Sequence, residues 1–160
     1  MDLNERAEAL VTVSKINAAS MLTVLRLEPS VLDNVDNDHW DFIVTIAGVY
    51  AAIAGVRSKH SKVPTKELLT AIFETINVKL RELDPNAENT YRGLHFMLEG
   101  VQKRRPASEN DSDDYYYKSD LGFWIVEQVF GHRPQSEQRR ALAYRVGSMV
   151  MDAMYGHSFQ

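Results

Sequence analysis

The sequence predicts an all-α fold, a single-domain bundle of about six helices with a buried apolar helix at its centre. Three observations carry that prediction. The stretch from Phe42 to Val56, FIVTIAGVYAAIAGV, has no charge, and at helical spacing its apolar residues cover every face, the pattern of a helix enclosed by others. Elsewhere apolar residues recur three and four apart rather than alternating, most cleanly at Leu69, Ile72, Phe73, Ile76, Leu80 and Leu83. Between these segments stand Pro, Gly and Asp/Asn/Ser clusters that stop one helix and start the next.

Length and composition narrow the class further. A chain of 160 residues can bury a continuous core without staples, and it has no cysteine, so disulfides, thiolate metal sites and a Cys nucleophile are excluded. The first residues, MDLNERAEAL, are polar and acidic where a secretory signal has a basic patch and an apolar run, so a cytoplasmic protein is expected. A net charge of -4 offers no overall attraction to nucleic acid or anionic lipid. Neither is an expected partner.

Helix one is expected from Leu3 to Leu27, stopped by Pro29. It carries two apolar stripes. Leu3, Ala7, Leu10, Val11, Ala18, Met21, Leu22 and Leu25 form one, and Val13, Ile16, Val24 and Leu27 form a second. Two stripes imply either two sets of neighbours within the chain or one set plus a partner chain. Asp33 to Asp41, DNVDNDHWD, then supplies acidic groups that complement the positive end of the central helix, predicted over 38–58. A hard-cation site built from Asp33, Asp36, Asp38 and His39 is the alternative, although no metal-loop spacing is present. In the central helix Gly48 and Ala52, and Ala51 and Gly55, are four apart, which lets neighbouring backbones come close. The uncharged run of 15 residues is shorter than the roughly 20 needed to span a bilayer, so the helix is read as buried in the bundle.

Pro64-Thr65 opens helix three and Asp84-Pro85-Asn86 closes it. Helix four places Ala87, Tyr91, Leu94, Leu98 and Val101 on one stripe, with Phe96 opposite, and ends at Lys103-Arg104-Arg105. A loop is predicted over 106–120, PASENDSDDYYYKSD. Helix five, 119–131, is apolar on nearly every face and reads as a second interior helix ended by Gly131. In helix six Ser136 is the expected cap and Leu142, Val146, Met149 and Ala153 the inward stripe, with Tyr144, Met151 and Tyr155 on another face.

Motifs for chemistry are sparse. Phosphate loops, nucleophile elbows, His-Glu-x-x-His helices and the Glu-x-x-His pairs of carboxylate metal bundles are absent. In the 109–120 loop Glu109, Asp111, Asp113 and Asp120 fall where a calcium loop has ligands, but Asp114 stands where such a loop needs Gly. The leading expectation is therefore a non-enzymatic interaction or regulatory protein with no cofactor, binding a protein partner through Asp111, Asp113, Asp114, Tyr115, Tyr116 and Tyr117. Tyrosines beside carboxylates suit a basic protein surface. Self-association through helix one or the last helix is a second part of it. The competing expectation is a ligand-binding or enzymatic domain with an inter-helix pocket lined by Trp40, Tyr91, His95 and Trp124. A metal-dependent variant would use Asp36, Asp38 and His39, or His95 and Glu99.

Overall fold

The computed structural model describes residues 2–59, 66–104 and 113–155, with the side chains of 55–59, 66–69, 72–73, 101–104 and 113–118 excepted. The described residues form six helices and no strand: α1 (Leu3–Leu25), α2 (Asn37–Lys59), α3 (Lys66–Leu83), α4 (Ala87–Arg104), α5 (Asp113–Phe130) and α6 (Glu137–Met154).

α2 packs against α1, α4, α5 and α6. Its charge-free run accounts for this position, because no charged side chain is left without water there. Ile43, Val44, Ile46, Ala47, Val49, Ala51, Ala52 and Ile53 are all buried. The expected close crossing occurs at Gly48, where a Cβ would lie 2.1 Å from Ser14 Oγ and 3.3 Å from Met154 Cγ. At the same crossing Ser14 donates a 2.8 Å hydrogen bond to the Thr45 carbonyl, so the polar side chain that α1 buries there is satisfied.

α1 begins in a capping box, with Asp2 accepting from the Glu5 amide and Glu5 from the Asp2 amide. It ends at Leu25, two residues before the predicted end. The chain reverses through Ser30 (φ 69°) and Asn34 (φ 66°), and Arg26 Nη2 ties the reversal with a 2.9 Å bond to the Val35 carbonyl. At the α3–α4 junction Arg81 and Arg92 share Glu88 at 2.6 and 2.7 Å.

Two expectations about the C-terminal half need correction. α5 starts at Asp113, so the loop predicted over 106–120 gives way to helix at its second half. Asp and Ser favour turns, but acids also suit the first turn of a helix, and Asp113 and Asp114 occupy that turn. Nor is α5 wholly interior. Leu121, Trp124, Ile125 and Val126 are buried, while Phe123, Val129 and Phe130 are half-buried and Gln128 is exposed.

α6 has the Ser136 cap as expected, its side chain accepting from the Arg139 amide at 3.1 Å. Its buried face is rotated from the predicted one: Leu142, Ala143, Val146, Gly147, Val150, Met151 and Met154 point inward, Ala153 is exposed and Met149 half-buried. Small residues set this phase. A Cβ on Gly122 would lie 1.8 Å from the Ala143 carbonyl oxygen and 3.0 Å from the Gly147 amide, so α5 and α6 approach nearly backbone to backbone. Gly131, at φ 80°, terminates α5 as the sequence implied.

Candidate functional site

The first candidate surface is the outer side of α1. Its inward stripe is enclosed, but of the second stripe Ile16 is 62% exposed, Val24 47% and Leu27 80%, and only Val13 is partly covered. Exposed Ser20 lies between Ile16 and Val24, so Ile16, Ser20, Val24 and Leu27 follow one another at steps of four, four and three. The row is apolar apart from that one small hydroxyl. By length and apolar composition α1 could cross a membrane. Its packing against α2, α3 and α6 and the Ser14–Thr45 bond make it a helix of this bundle instead.

Of the residues expected to bind a ligand, Tyr91 and His95 come together beside Tyr50, whose ring centroid is 6.1 Å from that of Tyr91 and 6.0 Å from that of His95. His95 Nε2 also meets Glu99 at 3.2 Å, as their four-residue spacing implied. Trp40 is elsewhere. It is buried with its indole N–H donating 2.8 Å to the Ala18 carbonyl, a tie between α1 and α2. Trp124 lines a groove of about 320 Å³ with Met97, Asp120, Phe123, Glu127, Arg133 and Pro134, a groove the other three do not share.

Among the described residues no group of three or more His, Asp or Glu is gathered as a metal would require. Asp36 instead caps α2, its Oδ1 accepting from the amides of Asp38 at 2.8 Å and His39 at 3.3 Å. His39 Nε2 lies 2.9 Å from the Gln128 carbonyl, linking the start of α2 to the end of α5. Asp111 lies outside the described residues, as do the side chains of Asp113, Asp114, Tyr115, Tyr116 and Tyr117, whose backbone forms the first turns of α5.

A third feature was not expected from the sequence. A groove of about 320 Å³ opens where α1, the start of α2 and the end of α3 meet, lined by Lys15, Asp38, Asp41, Phe42, Thr45, Leu83 and Asp84. Two buried atoms of its lining, Asp41 Oδ1 and Thr45 Oγ1, have no hydrogen-bond partner. Desolvation pushes the Asp41 pKa up, and the nearby Asp38 charge adds to this while Lys15 and Arg26 oppose it. The available signal was the pair Asp41 and Thr45, four apart on one helical face at the edge of an apolar run.

Comparison of the chain with protein-family models, curated proteins and solved structures finds no match.

Proposed function

We propose that the protein is a non-enzymatic interaction protein that pairs with a second copy of itself through the outer face of α1. The observation that carries the reading is the row Ile16, Ser20 and Val24 along one line of α1, continued by exposed Leu27 in the turn just beyond the helix end, while the other stripe of α1 is already enclosed. A row at steps of three and four is what a second helix covers best, and Ser20 is small enough not to hold that helix away. Charge along α1 favours an antiparallel copy. With Glu8 set aside against Lys79 and Glu28 against Arg145, Asp2 and Glu5 outweigh Arg6 at one end and Arg26 is the cation at the other. Antiparallel pairing brings opposite ends together, whereas parallel pairing aligns like charges. Binding of a different protein at Asp111, Asp113, Asp114 and Tyr115 to Tyr117 belongs to the same reading as a second contact.

Light scattering across a concentration series tests the pairing. The expected result is twice the chain mass for the native protein and the single-chain mass for the double variant Ile16→Glu, Val24→Glu, with helical content unchanged. Introducing two charges at a helix seam should weaken association more than about tenfold. A native protein that stays at the single-chain mass at high concentration overturns the reading.

A further inference from the structure

We propose that the groove between α4, α5 and the turn into α6 binds a zwitterionic α-amino acid with an apolar side chain. α1 packs on neither α4 nor α5, so this site and the outer face of α1 stand or fall separately.

α5 builds one wall of the groove. Asp120, Phe123, Trp124 and Glu127 fall at the spacing of one helical face, while Met97 of α4 and the turn residues Arg133 and Pro134 close the rest of a space of about 320 Å³. Phe123 and Met97 are both half-buried, so each packs on the core and still shows an apolar side to the groove.

Trp124 supplies the first polar feature. It is only 6% exposed, yet its indole N–H donates to no described residue, and the nitrogen is not sealed from solvent. A buried indole N–H ordinarily has an acceptor, as that of Trp40 has in the Ala18 carbonyl. For Trp124 the accessible nitrogen belongs to a side chain that lines the groove, and an acceptor placed there would complete it.

Two charges complete the pattern. Glu127 is half-buried and Arg133 exposed, and neither side chain forms an ion pair or hydrogen bond with a described residue although both line the same groove. Asp120, at the far end of the α5 face, is already engaged within the chain, which leaves Glu127 as the available anion. An indole and a guanidinium only donate, whereas a carboxylate only accepts. The lining therefore offers two donors for an anion, one acceptor for a cation and an apolar wall. An α-amino acid carries the three matching parts on one carbon: its carboxylate goes to Arg133 and the Trp124 N–H, its ammonium to Glu127, and its side chain against Phe123 and Met97. A simple anion or a simple cation uses only part of this lining, and the volume is enough for one small molecule.

Trp124 is also the reporter, because Trp40, the other tryptophan of the chain, is enclosed between α1 and α2. The full chain is titrated with L-phenylalanine and L-leucine, each beside the amine that lacks its carboxylate and the acid that lacks its ammonium, with glycine as the control without an apolar group. Heat and tryptophan emission are read together. The expected result is saturable binding of at least one of the two amino acids with a change in emission, and binding about tenfold weaker for its amine and its acid. Glu127→Gln and Arg133→Gln, both at sites open to solvent, should keep the native denaturation midpoint and each weaken the amino acid about tenfold. Glu127→Gln should leave the affinity for the acid unchanged, and Arg133→Gln that for the amine. The proposal is overturned if neither amino acid binds at millimolar concentration, if glycine or the amine binds as tightly as the amino acid, or if either variant binds it as tightly as the native chain.

Discussion

α1 and α2 are each 23 residues long and both are rich in Ala and Val, yet α2 is enclosed from Ile43 to Ala54 while α1 leaves Ile16 and Val24 bare, with Leu27 exposed just beyond its end. Apolar content alone does not separate an interior helix from one with an exposed apolar stripe. The placement of the polar residues does. On α2 between Phe42 and Val56 no charge interrupts any face, whereas on α1 Glu5, Glu8 and Lys15, with Arg26 just beyond its end, break the circumference into two stripes. The bundle covers one of these, and the other faces water.

Substitutions of the same residue type on the two helices put this contrast to a direct test. Ile46→Ala on α2 empties a fully buried site and should destabilise the fold by about 2–5 kcal/mol. Denaturant unfolding of that variant should show a lower midpoint with an unchanged slope. Gly48→Ala adds a Cβ that would sit 2.1 Å from Ser14 Oγ, and with α1 and α6 both packed at that point the expected loss is about 1–3 kcal/mol. Ile16→Ala, by contrast, should change the stability of the dilute protein by no more than about 0.5 kcal/mol. A larger, concentration-dependent loss in that variant would locate the buried surface between copies rather than within one.

The smallest effect concerns Asp41. Its pKa is raised in the folded chain above the ordinary value of 3.8, chiefly by desolvation, so ionising it opposes folding. Asp41→Asn should therefore melt at a higher temperature than the native protein at pH 7. That advantage should shrink as pH falls through the raised pKa and close below 3.8, where the carboxyl is protonated in both states. Melting curves across this range check the sign, and a native protein more stable than the variant at pH 7 contradicts it.

Much of this architecture is legible in the residues. The uncharged run from Phe42 to Val56 places the central helix, Ser136 marks a cap, and Ala87, Tyr91, Leu94 and Leu98 mark the buried face of α4. The start of α5 is hidden because Asp serves both loops and first helical turns, and local pattern does not separate the two. The phase of α6 is hidden because Ala143 and Gly147 are weakly apolar, yet their small size lets Gly122 reach the backbone. Of the two candidate surfaces, the second stripe of α1 can be drawn from spacing, but whether it is covered depends on the other helices. The groove between α1, α2 and α3 is hidden for a different reason. Lys15, Asp41 and Asp84 are far apart in the chain, and nothing in their spacing says that they line one space.

The position of α2 has a consequence for the making of the protein. Two of the helices that cover it, α5 and α6, come after two intervening helices, and the contact between His39 and Gln128 joins segments from opposite halves of the chain. During synthesis at about 5–20 residues per second, the stretch from Lys59 to Met154 takes roughly 5–20 s to add. Through that interval the most apolar helix of the protein lacks part of its cover, and a nascent chain halted at Gly131 would present it to chaperones or to other unfinished chains.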